Sequence, residues 1–324
     1  SKILLEREVT GMYEWHRQVQ KIADGIDRCI ENRDDDGLTL QAIAKANGYS
    51  EFHMTRKFKE LSGICFRDYL RKRRLAFALI DVRDTRKSIL DIAVDYGFAS
   101  HEAFCRSFKA TYGIPPSTYR AKPKPVVLRT RLVTFDRYFL GLGEIGMLKS
   151  SKEIKIYFVS IPAHKFLHIK NYESDGYFDF WEKQDAVPGM DCDTICGLLD
   201  SVKGKLDGDD GLVGQYSGQI MAQIFEEGQA PEAYGVRLAA DYDGELPEQM
   251  LLLNVPQAEY IVFEHGSFDY EQECDTVSQK LTEAMEHFDY GATDYAPDRS
   301  AGRASYYYFD HDKYIKHILP VTRK

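Results

Sequence analysis

The chain has 324 residues, with 42 Lys and Arg against 51 Asp and Glu, so its formal net charge is −9. That length fits two or three domains, and a hydrophobic content of 44% is enough to give each a core. The apolar runs are too short to span a bilayer, the start lacks a signal peptide's apolar stretch, and the six cysteines are scattered, so we expect a cytoplasmic protein with free thiols and no membrane partner.

The first predicted element is an amphipathic helix over residues 10–32, with Thr10 as its cap. It is followed by two stretches, 38–69 and 88–119, that resemble each other. The offset between them is 49 residues up to a glycine and 50 afterwards, because Ala99 is an extra residue in the second turn. The matching residues include Ile43, Gly48, Ser50, Arg56, Phe58, Gly63 and Tyr69 in the first stretch and Ile92, Gly97, Ser100, Arg106, Phe108, Gly113 and Tyr119 in the second.

Each repeat predicts two short helices around a glycine turn. The predicted helices are 39–46 and 50–61 in the first repeat, 66–81 between the repeats, and 88–95 and 100–111 in the second. Gly48 stands where such a turn requires a positive φ, and Ser50 can cap the helix that follows. The sequence therefore predicts two helix-turn-helix units joined by one longer helix.

The second helix of each unit has the side chains to read DNA. Such a helix fits the major groove, where an arginine can fork onto guanine and an apolar side chain can pack on a thymine methyl. The candidate DNA-binding residues are Phe52, Thr55, Arg56 and Lys59 in the first unit and His101, Glu102, Arg106 and Lys109 in the second. Taken singly, Arg56 and Arg106 could be ordinary exposed arginines, and the run 71–74 could be a solvated face or could contact phosphate.

The charge distribution agrees with this interpretation. Residues 1–122 have 22 basic and 17 acidic residues, a net charge of +5, whereas the remainder has 20 basic and 34 acidic residues, a net charge of −14. A basic domain can meet phosphate, and an acidic one is repelled by it. The Pro- and Lys-rich stretch 121–125 marks the end of the basic part.

Residues 20–120 resemble the DNA-binding domain of the AraC/XylS-type regulators. The likeness is carried by 48–59, by 95–109, and by Gly113-Ile114-Pro115-Pro116 through Arg120. The resemblance implies seven helices, a partner of double-stranded DNA, base reading by the two second helices in successive major-groove segments, and transcription regulation, usually activation through RNA polymerase. Phe52 and Thr55 stand where a tryptophan and a glutamine are common in some members, so the target sequence is left open.

After residue 152 the apolar period changes from helical to two. Strands are predicted at 153–159, 163–169, 218–225, 235–242, 260–263, 304–309 and 316–321, and helices at 175–183 and 270–288. This is β-α-β-β written twice, which predicts an α+β domain with an antiparallel sheet. The predicted organisation is multi-domain: an all-α DNA-binding domain at 1–122, a linker and leading segment at 123–152, and the α+β domain at 153–324.

The α+β part resembles the GyrI-like effector-binding domains. The resemblance rests on 255–266 and 318–321, and it implies a cleft between the two halves for a bulky small-molecule effector. The candidate ligand-binding residues are Tyr177, Trp181, Tyr260, Phe263, Glu264 and Tyr307. Lys316 stands where the family often has a glutamate, which puts a preference for cations in doubt.

Two other functions of the acidic half remain open. It could dock a protein partner in place of a ligand, or it could be a hydrolase that uses Glu264 and a tyrosine. The sequence has no Gly-rich phosphate loop, no ordered Ser-His-Asp set and no His/Asp ligand spacing, so we expect no cofactor, no metal and no enzyme activity.

Overall fold

The computed structural model describes residues 13–135, 152–207, 218–310 and 314–324. These residues form two compact units. The first holds residues 13–135 together with Asp193–Lys203, and the second holds the other described residues. No helix in these ranges is both long and apolar enough to cross a membrane.

The first unit contains seven helices in the range 13–135. They are α1 (Glu14–Glu31), α2 (Leu40–Ala46), α3 (Glu51–Ser62), α4 (Phe66–Asp84), α5 (Ile89–Asp95), α6 (His101–Tyr112) and α7 (Pro116–Ala121). The predicted tandem helix-turn-helix is confirmed, with α2–α3 and α5–α6 as the two units and α4 between them. The resemblance implied a seventh helix, but the residue pattern did not place α7, because its six residues are too few to show a period. The predicted cap Thr10 lies outside the described residues.

The same aromatic pair packs in the core of each repeat. Phe58 lies against Tyr69 with ring centroids 5.2 Å apart, and Phe108 lies against Tyr119 at 5.9 Å. All four side chains are buried. The sequence repeat is therefore a repeat of packing as well, which fixes the second helix of each unit in the same way.

The second unit is built on an antiparallel sheet, as predicted. Its described strands are β1 (Lys155–Ile161), β2 (His164–Asn171), β3 (Gln219–Ile224), β4 (Glu232–Ala239), β5 (Leu251–Val255), β6 (Ala258–His265), β7 (Tyr295–Pro297), β8 (Ala304–Asp310) and β9 (Tyr314–Arg323). The described helices after residue 152 are α8 (Tyr177–Asp185), α9 (Cys192–Ser201) and α10 (Tyr270–Glu286), of which α9 packs in the first unit. Strands β5 and β7 and helix α9 were not predicted.

The strand order has the symmetry that the predicted duplication requires. It runs β1-β6-β9-β8-β3-β4-β2-β5, with β7 added beside β9. Strands β2, β3, β4 and β5 are equivalent to β6, β8, β9 and β1 in the symmetry of the sheet. When each strand is replaced by its equivalent, the same order results, read from the opposite edge. The two leading strands cross over, so that β1 pairs with β6 and β5 pairs with β2.

Helix α9 belongs to the first unit except for its first residue. Its Gly197 carbonyl accepts from the Leu128 amide at 3.2 Å, and the Ser201 carbonyl accepts from Arg83 Nη1 at 2.7 Å. The Ser201 hydroxyl accepts from the Val126 amide at 3.0 Å. The sequence had placed this stretch within the domain at 153–324, since nothing in its pattern shows where a buried helix packs.

Candidate nucleic-acid interface

Identical caps hold the second helix of each helix-turn-helix unit. The Ser50 hydroxyl accepts from the His53 amide at 3.3 Å, and the Ser100 hydroxyl accepts from the Ala103 amide at 3.1 Å. Both helices end at a left-handed glycine, and the preceding turns contain Gly48 and Gly97, with φ of 73° and 66°. Because a residue with a Cβ is strained at this φ, the repeated glycines set the entry of each second helix.

Helices α3 and α6 present nearly the same surface. Along both helices the exposed and buried positions follow one pattern, in which every fourth residue is buried in the core. Phe52 is 76% exposed although it is an aromatic side chain. Arg56 and Arg106 are exposed at the equivalent point of each helix, as are Lys59 and Lys109. Within the described part of the chain, none of these four cations has an ion-pair partner closer than 4 Å.

The other candidate residues on these helices, Thr55, His101 and Glu102, differ in the hydrogen-bonding groups that they present. The Thr55 hydroxyl donates back to the Glu51 carbonyl at 2.8 Å, so its methyl group and the acceptor lone pairs of the hydroxyl are left for a base. His101 Nε2 lies 3.5 Å from the Cys105 thiol. Hydrogen bonds from its own amide and from Ser100 hold the pKa of Glu102 below its usual range, which keeps an acceptor at the start of α6.

The arginines of the linking helix α4 are used inside the protein. Arg73 is fully buried and holds Asp27 through two hydrogen bonds of 2.8 and 2.6 Å. Arg74 is paired with Asp35 at 2.8 Å, and the exposed Arg71 with Asp68 at 3.2 Å. These ion pairs show that the run 71–74 is more than a solvated face, and phosphate contact by some of its residues stays a prediction.

Trp15 packs behind this candidate interface, a contact that the sequence pattern had missed. Its ring packs on Tyr49 at 4.6 Å and on His53 at 4.8 Å, and Lys57 lies over it at 6.0 Å. Helix α1 thus supports the turn and the back of α3. Trp15 lies outside the main apolar face of the amphipathic helix α1. This position could have indicated a packing contact with a second element.

The six candidate ligand-binding residues of the second unit lie on opposite faces of the sheet. Trp181 packs on Tyr234 with ring centroids 4.9 Å apart, on the face that α8 and α10 cover. Tyr177, Phe263 and Tyr307 are on that face too, whereas Tyr260 and Glu264 are on the other, because successive strand residues alternate. The structure therefore places two of the six on one face of the sheet and four on the other.

The face that carries Tyr260 and Glu264 also carries Tyr157, Tyr306 and Tyr308, and we call it the tyrosine face. It is strongly curved, since His164 Nε2 on β2 reaches the Tyr306 hydroxyl on β8 at 2.6 Å across two intervening strands. Tyr306 also packs on Tyr260 at 6.4 Å. The Tyr260 hydroxyl is buried and has no hydrogen-bond partner among the described residues.

Glu264 is already engaged by two neighbours. The Tyr157 hydroxyl donates to it at 2.6 Å, and Lys316 Nζ lies 3.2 Å from the same oxygen. Partial burial acts to raise the pKa of Glu264, but these two contacts outweigh burial and hold the pKa below its usual value. A carboxylate in this state is a poor general base, which weighs against the hydrolase alternative.

The family model that matches this chain lies within the first unit. A family model described as a helix-turn-helix domain matches residues 43–122. Regulatory protein SoxS of Escherichia coli strain K12 is 36% identical over 101 residues, which are 31% of this chain and 94% of SoxS. Right origin-binding protein of the same strain is 38% identical over 142 residues, 44% of this chain and 42% of that protein.

A solved AraC-type transcriptional regulator from Chromobacterium violaceum is also similar. It is 27% identical, with a TM-score of 0.29, over 32% of this chain and 91% of that chain. With the paired helices and their cations, the family model and the match to SoxS define a helix-turn-helix DNA-binding transcriptional regulator. The extent of the match to SoxS makes the family plain: the chain belongs to the AraC/XylS-type regulators. That match covers less than a third of the chain, so it bears on the first unit alone.

Proposed function

We propose that the protein regulates transcription, as an activator, by placing α3 and α6 in two successive major-groove segments of one DNA site. The observation that carries this proposal is the equivalence of Arg56 and Arg106. Both are exposed and without an ion-pair partner among the described residues, while Arg73 and Arg74 on the intervening helix are paired. An unpaired, exposed arginine on a capped helix is free to fork onto guanine.

The proposed division of labour on the DNA follows from position on each helix. Phe52, Thr55 and Arg56 read bases in the first segment, and His101, Glu102 and Arg106 in the second. Lys59 and Lys109, one turn further along, contact phosphate. Activation further requires contact with RNA polymerase, for which the resemblance is the support.

Electrophoretic mobility shifts with the full chain test DNA binding. We expect binding that weakens steeply as salt rises, because neutralised phosphates release counterions. Lys59→Ala and Lys109→Ala should each reduce the salt dependence by about one counterion while leaving site preference unchanged. Arg299→Ala, which removes an exposed arginine of the second unit, is the matched control. Equal effects of all three variants would refute the assignment.

For the second unit we propose that the tyrosine face senses a small, bulky molecule. The support is the unpartnered, buried Tyr260 hydroxyl beside Tyr306, since a buried hydroxyl is normally satisfied by some partner. A thermal-shift screen of amphiphiles against the full chain tests this, because a ligand that binds only the folded state raises the midpoint by mass action. Loss of a ligand's shift in Tyr260→Phe would support the site, and an unchanged shift would place the ligand elsewhere.

A further inference from the structure

At one rim of the tyrosine face a single carboxylate lies between two lysines. Glu264 stands directly opposite Lys316 on β9 and Lys155 on β1, so two lysines flank one carboxylate. Lys316 makes the ion pair, and it is 27% exposed against 17% for Glu264. Among the described side chains of β1, β6 and β9 at this rim the local charge is therefore positive by one, in a domain whose overall charge is negative.

The rest of the face has no spare carboxylate in the described part of the chain. Asp207 holds Arg237 through two hydrogen bonds, and Arg237 in turn lies over Tyr306 at 5.4 Å and Tyr308 at 5.9 Å. His164 reaches Tyr306, as described above, and burial lowers its pKa, so it is neutral near pH 7. Two of the electron-rich tyrosine rings that could attract a ligand cation, Tyr306 and Tyr308, therefore already face a protein cation.

From this arrangement we infer that the tyrosine face selects an uncharged aromatic molecule that accepts a hydrogen bond, and that Lys316 excludes organic cations. The inference rests on the proposed effector-sensing function and adds the class of ligand. A cation here would have to displace Lys316 from Glu264 or remain near an excess positive charge. An uncharged aromatic ligand gains from apolar burial and can satisfy the Tyr260 hydroxyl.

Two probes with the same phenyl groups and different charge test the inference. Methyltriphenylphosphonium is a cation, and triphenylphosphine oxide is uncharged and has a strong acceptor oxygen. Titration calorimetry with the full chain should show that the oxide binds at least about tenfold more tightly than the cation. Lys316→Gln should strengthen binding of the cation about tenfold, because it frees the Glu264 carboxylate.

Three further variants separate charge from shape. Lys316→Arg should keep the preference of the natural chain, and the double variant Glu264→Gln, Lys316→Gln should lose the gain in cation binding. Tyr260→Phe should weaken the oxide several-fold and leave the cation unchanged. The melting temperature of each variant shows whether it is folded.

The outcomes distinguish the inference from the function on which it rests. If the natural chain binds the cation as tightly as the oxide, or if folded Lys316→Gln leaves cation binding unchanged, the charge selection is refuted and effector sensing stands. If neither probe binds and no amphiphile shifts the melting temperature, effector sensing fails and the inference fails with it.

Discussion

The guanidinium of Arg73 on α4 holds the carboxylate of Asp27 on α1, and both residues are buried. Arg73 also donates to the Arg129 carbonyl at 2.5 Å, so it joins two helices and the segment after α7. Its neighbours in sequence, Arg71 and Arg74, are partly exposed. The pair therefore fixes the position of α1, and with it Trp15, against the rest of the DNA-binding unit.

Breaking this pair from one side should be costly. We expect Asp27→Ala to lower the free energy of unfolding of the first unit by about 3–5 kcal/mol, because it leaves a buried guanidinium without its counter-ion. The double variant Asp27→Leu, Arg73→Met replaces both charges by apolar groups and should cost much less. Urea unfolding followed by circular dichroism measures the difference, and equal losses in the two variants would contradict this account.

A close approach of two backbones should make Gly197 irreplaceable. A Cβ at this position would lie 2.4 Å from the Leu128 carbonyl oxygen, so Gly197→Ala should destabilise the first unit by about 1–3 kcal/mol as the backbone shifts. Gly25 in α1 is the matched control, since a Cβ there meets only the end of Arg28, at 3.9 Å. Gly25→Ala should stabilise by about 0.5–1 kcal/mol. Thermal unfolding measures both variants, and a shift of their two melting temperatures in the same direction would contradict this prediction.

Buried histidines predict that the second unit weakens in mild acid. Burial lowers the pKa of His317, which packs on Tyr307 at 4.7 Å, to about 4. Between that value and the unfolded pKa of about 6.5 the unfolded state binds the extra proton, so stability is complete near pH 7 and falls as pH is lowered towards 4. From pH 7 to pH 5 we expect a loss of about 1–2 kcal/mol from this residue.

His317→Phe removes the titrating group and keeps a ring beside Tyr307. Between pH 7 and pH 5 the free energy of unfolding of the variant should therefore fall by about 1–2 kcal/mol less than that of the natural chain. His164, His168 and His265 contribute to the pH dependence that remains in the free energy of unfolding, because burial also lowers their pKa values. Parallel stability curves for the two chains across this pH range would show that His317 does not contribute.

Local signals explain what could be predicted from the sequence. The repeated glycine turns, Ser50 and Ser100 act within a few residues of the structure they specify, so both helix-turn-helix units could be placed to within two residues. The period of two in the second half predicted the antiparallel sheet, and alternation along β6 separates Phe263 from Glu264. The candidate ligand residues nevertheless fell on two faces, because they were chosen for their chemistry without regard to that alternation.

What the sequence could not show depends on contacts between distant residues. The partner of Arg73 is 46 positions away, and the packing of Gly197 on Leu128 belongs to a helix whose residues 195–201 are all buried, so no exposed face indicates its partner. The sequence does not show which element Trp15 of α1 packs against, and its contact with Tyr49 is seen only in the folded structure. In each case the pairing is set by the tertiary fold, and the local pattern is compatible with several partners.

The central claim, that α3 and α6 each read their own segment of one site, is tested most directly by footprinting and binding-site selection with Arg56→Ala and Arg106→Ala. We predict two protected major-groove segments about 34 Å apart for the natural chain. Each variant should lose about 1–3 kcal/mol at the selected site and relax base preference in one segment only, a different segment for each. Relaxation of the same segment by both variants, or unchanged preference in both, would contradict the account.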